Sequence, residues 1–272
     1  MLELVRHEVD NVAFWRDDAL LARCGVTVAF SERGGGASEP PYESLNLAAH
    51  VGDAPEAVDE NRSRLLTALG LGEVRSRLTC AQQVHGARVK QVGESLVGAG
   101  GSAMPGMRLA APGADALLTT LPQTPLMLFF ADCVPVVLVR PSVPAVAVVH
   151  AGWRGALAGI AGEATRILSA MEGDDDTVAY IGPHIGACCY EVSSELVSQF
   201  CNTFVTLAPV SRGLDLGAAV AEDLVRAGVP MERQKRLDMC TADNIDRFFS
   251  YRAENGLTGR HCAVTAIAGA SF

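Results

Sequence analysis

Residues 126–155 read LMLFFADCVPVVLVRPSVPAVAVVHAGWRG. Within this stretch, 126–130, 134–139 and 143–150 are short runs rich in Leu, Val and Phe, several with no polar face. Strands that are apolar on both sides belong to sheets covered on both faces, because an open sheet alternates polar and apolar positions. Residues 116–120, 177–181 and 262–268 read as further strands of the same kind. The run at 143–150 ends at His150, passes through Ala151-Gly152-Trp153-Arg154-Gly155, and enters a helical pattern at 156–171. There Ile160, Ala164, Ile167 and Leu168 share one side. Further helices are expected at 54–69, with Leu65, Leu66 and Leu69 on one face, and at 196–201 and 216–227. Strands and helices interleave irregularly, which predicts an α/β (α+β) layered sandwich with mixed β-sheets and argues against a regular doubly wound fold. The loops at 33–41 and 97–106 are dense in turn formers but too embedded to separate domains, so one domain over residues 1–272 is expected.

Composition narrows the function. The chain has 272 residues, 49% hydrophobic and 19% charged, enough apolar material for a sizeable core and too much for wholesale disorder. It carries 22 Lys and Arg against 31 Asp and Glu, a net charge of −9. Such a surface repels phosphate backbones and anionic lipid, so neither a nucleic acid nor a membrane is an expected partner. A local basic site for a small anion is compatible with it. No apolar run approaches the roughly 18 residues of a spanning helix, and the opening MLELVRHE lacks the apolar core of a signal peptide. The eight cysteines then belong in a reducing, cytoplasmic setting, as core residues, metal ligands or nucleophiles before disulfides.

Three chemistry-bearing residues adjoin apolar runs: His85 in Gln82-Gln83-Val84-His85-Gly86, Cys133 after Ala131-Asp132, and His150. Together they would suit zinc or copper, and a three-ligand set leaves a fourth position for water or substrate. They lie 48 and 17 residues apart, without a clustered ligand motif. The same residues also read as a nucleophilic Cys133 with His150 as its base, the pattern of a cysteine hydrolase or deamidase. The plainest reading is a buried Cys and a core His. The spacing leaves all three open. Gly152-Trp153-Arg154-Gly155 would feed a helix N-terminus, where backbone N–H groups and the Arg154 fork suit phosphate or carboxylate. The plain alternative is a tight turn with Arg154 bridging to a surface acid. The Gly-Lys-Ser/Thr ending of a Walker loop is absent. Asp115 and Asp132 sit beside strands as orienters of a ligand His or as caps. Cys188 and Cys189 are expected to pack, since vicinal cysteines rarely form a strain-free disulfide. His7, His50 and His261 have no partner identifiable from sequence.

A set of ordered motifs goes further. The loop 33–38 is followed by Ser44-Leu45-Asn46-Leu47, Val51-Gly52-Asp53 and Glu60-Asn61-Arg62. Then come Gln83-Val84-His85-Gly86, Ala114-Asp115-Ala116, Ala131-Asp132-Cys133-Val134-Pro135 and His150-Ala151-Gly152-Trp153-Arg154-Gly155. The set continues through Ile181-Gly182-Pro183, Cys188-Cys189-Tyr190-Glu191-Val192, Cys240-Thr241, Arg247-Phe248-Phe249-Ser250-Tyr251-Arg252 and Thr258-Gly259-Arg260. Spanning roughly residues 30–261, it resembles the YfiH-type family, also called the laccase-domain, polyphenol oxidase, purine nucleoside phosphorylase or peptidoglycan editing factor family.

The resemblance implies a CNF-like, cysteine-hydrolase-type layered fold and a metal held by His85, Cys133 and His150, usually zinc, with copper as the alternative. It implies phosphorolysis of adenosine, inosine, guanosine or methylthioadenosine, with adenosine deaminase activity. It also implies two alternatives: a hydrolase or amidase editing a cell-wall precursor, or a copper-dependent polyphenol oxidase. On this reading Arg33 and Arg154 hold phosphate, Asn46 and Gln83 hydrogen-bond the nucleoside, and Cys133 sits at the reaction centre. The expected partners are a purine nucleoside and phosphate, bound by a monomer or homodimer.

Overall fold

The computed structural model describes residues 2–104, 106–108, 110–207 and 213–269, so Pro105 of the expected 97–106 loop lies outside the described residues. The strands are β1 (Val5–Val9), β2 (Val12–Arg16), β3 (Val26–Ser31), β4 (Thr79–Cys80), β5 (Val89–Gln91), β6 (Ala116–Thr119), β7 (Leu126–Phe130), β8 (Val134–Arg140), β9 (Ala145–Ala151), β10 (Val178–Ile181), β11 (Gln234–Arg236) and β12 (His261–Ile267). The helices are α1 (Asp18–Cys24), α2 (Pro55–Ala68), α3 (Trp153–Leu157), α4 (Ile160–Ser169), α5 (Ser194–Thr203) and α6 (Leu216–Arg226).

Two sheets form, ordered β1-β2-β3-β12-β7-β4 and β11-β10-β8-β9-β6-β5. Both are mixed: their interiors are antiparallel, while β4, β5 and β11 each pair in parallel at an edge. The sheets pack face to face, with Val28, Phe30, Leu128 and Phe130 of the first against Leu117, Val137, Val139 and Val148 of the second. On the outer face of the first sheet, Leu65 and Leu66 of α2 pack with Phe14, Met127 and Phe129. On the outer face of the second, Val136, Leu138 and Val149 meet Ile160 and Leu168 of α4 and Val220 and Leu224 of α6. The order is therefore helix, sheet, sheet, helix. β7 and β8 send successive residues into two different apolar layers, which is why their sequences show no polar face. Each large side chain so buried stabilises by roughly 1.5–3 kcal/mol.

The helix expected over 156–171 is split. Gly159, at φ 72, ends the five-residue α3 and starts α4 in a new direction. With α3 so short, little peptide dipole accumulates behind Gly152-Trp153, and the expected helix-terminus contribution to anion binding is lost. The C-terminus of α4 is closed by the fully buried Arg140, which donates to the carbonyls of Leu168, Met171, Gly173 and Asp174. Leu168 lies in the last turn of α4, whose carbonyls lack the usual i+4 donor, and Met171, Gly173 and Asp174 follow the helix. Among the described residues no helix is long and apolar enough to cross a membrane.

Candidate metal centre and its cavity

The register of the second sheet builds the centre. Ala116 pairs with Val149, so Asp115 and His150 sit side by side at one end of β6 and β9, and the His150 N–H donates to the Asp115 carbonyl at 2.7 Å. The Asp115 side chain is fully buried. One carboxylate oxygen lies 2.9 Å from His150 Nδ1, and the pair of oxygens accepts the backbone N–H groups of Val84, His85 and Gly86. These bonds hold His85 at φ 58, a conformation that a side-chain-bearing residue adopts at a cost. Cys133 arrives from the other side, ahead of β8, whose first residue Val134 pairs with Ala151. The ligand atoms of His85, Cys133 and His150 lie within 4.8 Å of one another, and the two imidazoles stand edge to face at 4.9 Å. Gly152 keeps the centre open: a Cβ there would fall 3.1 Å from His85 Cδ2 and 3.2 Å from Cys133 Sγ.

Charge in the cluster is strongly coupled. Burial alone would raise the Cys133 thiol, but His150 and then His85 outweigh it and bring the value down to about 6. Burial would lower His150, yet the charge on Cys133 and the hydrogen bond that its ring donates to Asp115 lift it to about 9. Asp115 stays below the usual carboxylate range despite burial, because His150 and the Gly86 N–H favour its charged form. The two imidazoles thus favour the thiolate form of Cys133, the form that ligates a metal and also the form that attacks carbon. With Nδ1 on Asp115, His150 keeps Nε2 for a ligand, the carboxylate–histidine arrangement of metal centres. The donor set, one thiolate and two imidazoles held by a buried carboxylate, fits zinc or copper.

The cluster lies in the wall of a cavity of about 640 Å³. Phe129, Trp153, Tyr190 and Tyr251 line it with aromatic faces, and Arg154, Arg252 and Arg260 bring positive charge. The Arg154 guanidinium stacks 4.0 Å over Trp153 and bonds no carboxylate among the described residues. Arg252 donates to the Glu191 carbonyl, and Arg260 to those of Thr258 and Gly259. His50 also lines the cavity, where burial holds its pKa below the usual imidazole value.

Three expected substrate contacts are placed differently. Arg33 does not line the cavity: its guanidinium donates to the carbonyls of Glu43 and Ile245 and to Glu254, and it stacks on Phe249. Asn46 is fully buried, with its amide bonded to Ala48, Asp53 and the Arg260 N–H. Gln83 does line the cavity, but its amide is engaged at both ends by the backbone of Phe129, at 2.8 and 2.9 Å. Each spends its hydrogen bonds on the protein itself. Arg252, Arg260, Tyr190 and Tyr251 were singled out in sequence only as parts of family motifs, and His50 carried no signal. Asp115 is the expected orienter of a His. Asp132 instead accepts from Thr241 Oγ1, Ser250 Oγ and the Arg252 N–H, each at 2.7 Å. Cys188 and Cys189 are not core packing: the first is exposed and the second half-buried, both against Asp243.

These features define a class: an α/β sandwich protein with a thiolate–imidazole centre beside a cationic, aromatic-walled cavity. The chain belongs to the laccase-domain family that also contains the YfiH and YlmD proteins, since the family profile described as "Multi-copper polyphenol oxidoreductase laccase" matches residues 27–268. "Purine nucleoside phosphorylase YlmD" of Geobacillus stearothermophilus is 37% identical over 249 residues, 88% of this chain and 89% of the relative. "Purine nucleoside phosphorylase YfiH" of Shigella flexneri is 36% identical over 241 residues, 87% and 91% of the two chains. The crystal structure of YlmD from Geobacillus stearothermophilus superposes with a TM-score of 0.87 at 34% identity, covering 98% of this chain and 100% of that one.

Proposed function

We propose that this chain is a zinc-dependent purine nucleoside phosphorylase. It would convert adenosine, inosine, guanosine or methylthioadenosine and phosphate to the base and the sugar 1-phosphate, and deaminate adenosine at the same site. One observation carries the reading: the His85, Cys133 and His150 cluster and the uncommitted Arg154 meet in a single aromatic-walled cavity of about 640 Å³. Small-molecule sites run from roughly 300 to 1,000 Å³, so a nucleoside with phosphate beside it is accommodated. The YlmD and YfiH relatives are named purine nucleoside phosphorylases, which supports the same reaction.

His85, Cys133 and His150 would hold the metal, which when bound supplies Lewis-acid charge at an open position. Copper suits the same donors, and weak phenol oxidation would follow from it. Arg154 binds and orients phosphate through its planar fork, and Arg260, which lines the same cavity, adds charge. The aromatic faces hold the purine by stacking. An oxygen of hydrogen phosphate attacks the anomeric carbon, and the glycosidic bond breaks. Its electron pair leaves with the purine, and the phosphate proton ends on the purine ring nitrogen. Arg33, Asn46 and Gln83 act at one remove: Arg33 by tying Glu43 to the 245–254 segment, Asn46 by fixing Arg260, and Gln83 by fixing Phe129.

The test is purine release by metal-quantified protein, with and without phosphate. Arg154→Ala should raise the phosphate KM tenfold or more, the loss of a charge-assisted contact of about 1.5–3 kcal/mol. The nucleoside KM should stay within about twofold, since Arg154 then acts on phosphate alone. Equal losses for both substrates, or release that ignores phosphate, overturns the reading.

The series Cys133–His150–Asp115 favours a second reading, a hydrolase or amidase acting on an aminoacylated cell-wall precursor. There Cys133 would be the nucleophile, His150 its base and Asp115 the orienter, as in cysteine hydrolases. Phosphate-independent hydrolysis by metal-stripped protein, abolished in Cys133→Ser, would select it.

A further inference from the structure

A second donor cluster lies outside the cavity. Cys188, Cys189, Cys240 and Asp243 place one ligand atom each within 4.8 Å of all the others. Two distant segments supply them. Cys188 and Cys189 occupy a helical turn after β10, closed by the Cys189 and Tyr190 N–H groups on the Gly186 carbonyl. Cys240 and Asp243 lie in a Cys-x-x-Asp step, and Cys240 bridges in parallel to His184. Cys188 Sγ and Cys189 Sγ sit 3.1 and 3.0 Å from the two oxygens of Asp243. The Gly186 N–H donates to Cys240 Sγ at 3.2 Å, which fixes that sulfur facing the other two. Gly186 also leaves the room that closure needs, because a Cβ there would fall 3.1 Å from Cys188 Sγ and 3.3 Å from Cys240 Cβ.

We propose that these four residues form a closed zinc site. Three sulfurs and a carboxylate are a full four-donor set with no position left for substrate, the signature of a structural ion. Two thiols pressed against one carboxylate, with no core around them, are otherwise a poor use of cysteine. The ion has a mechanical role. The first segment carries Tyr190 and the second carries Thr241, Ser250, Tyr251 and Arg252, so a metal joining them pins the outer wall of the cavity in place.

The experiment is zinc titration of the full-length, reduced, chelator-stripped protein. Wild type should take up two equivalents, and Cys188→Ser/Cys189→Ser and His150→Ala one each. Co2+ substitution assigns them, because three thiolates at the outer site against one at the inner predict a charge-transfer band about three times as intense. Asp243→Asn changes an exposed residue and should preserve the fold while weakening the outer equivalent tenfold or more. If wild type binds one equivalent that Cys188→Ser/Cys189→Ser leaves untouched, the proposal fails. A single equivalent lost in that double variant but kept in His150→Ala upholds it, and removes instead the metal from the proposed phosphorylase site.

Discussion

The two sides of the cavity are each organised by a buried aspartate, and they differ in what that aspartate gathers. On the strand-built side, Asp115 binds a neighbouring strand's His150 and the three N–H groups of the 84–86 loop. Its partners belong to the candidate metal centre. On the loop-built side, Asp132 gathers Thr241, Ser250 and Arg252, all from one segment more than 100 residues away, and its partners are the wall. The same residue type, beside a member of the donor cluster in both cases, fixes the candidate metal centre in one place and ties down the cavity wall in the other. Sheet register sets the first side, and chain closure sets the second.

The contrast is tested most severely at Asp115. Asp115→Ala strands a buried imidazole and three backbone donors, so a stability loss of about 3–5 kcal/mol is expected. Metal binding should fall with it, and urea midpoints with metal analysis would measure both. Retention of a full metal equivalent in this variant would mean that strand register alone holds the centre. Asp132→Ala should cost less, about 2–3 kcal/mol, because the freed hydroxyls of Thr241 and Ser250 can turn toward other acceptors. Here the metal should stay while substrate KM rises, since the wall loosens and the centre does not. Metal loss equal to that of Asp115→Ala would erase the distinction.

The joint between the two sides can be probed by pH. His261 starts β12, fully buried between Phe130 of a strand and Phe248 of the closing segment. Neither ring nitrogen makes an ordinary hydrogen bond, although the Pro183 carbonyl is near. Burial, and then the charge of Arg260, hold its pKa down to about 3. The unfolded chain titrates near 6.5 and takes up the proton first, so stability present at neutral pH is lost as the pH falls from there toward 3. Between pH 7 and pH 5 this amounts to about 2 kcal/mol. Denaturant melts of wild type and His261→Leu at both pH values should show the acid loss reduced by that amount in the variant. An unchanged acid limb would place the sensitivity elsewhere.

Much of the scaffold was legible because a buried strand needs little beyond consecutive apolar residues. The predicted strands at 116–120, 126–130, 134–139, 143–150, 177–181 and 262–268 all form, shifted by at most two residues at either end. Left unread was the N-terminal hairpin, although Asp10 and Asn11 form its two-residue turn, both at positive φ, and such pairs are a known turn signal. The split between α3 and α4 also went unread, since Gly159 is one glycine among 27.

By itself the sequence determined which residues could do chemistry: His85, Cys133 and His150 at the ends of apolar runs, and the arginines of the family motifs. Tertiary structure alone decided which of them remain available. Arg33, Arg140 and Arg154 are alike in sequence, yet carbonyls and Glu254 take the N–H groups of Arg33, carbonyls alone take those of Arg140, and Arg154 stacks on Trp153 and bonds no carboxylate among the described residues. A hydrogen-bond donor is spent by whatever acceptor the folded chain brings within 3 Å, and that distance is set by residues far away in sequence. For the same reason Cys188 and Cys189 read as packing until folding carried Cys240 and Asp243 to them.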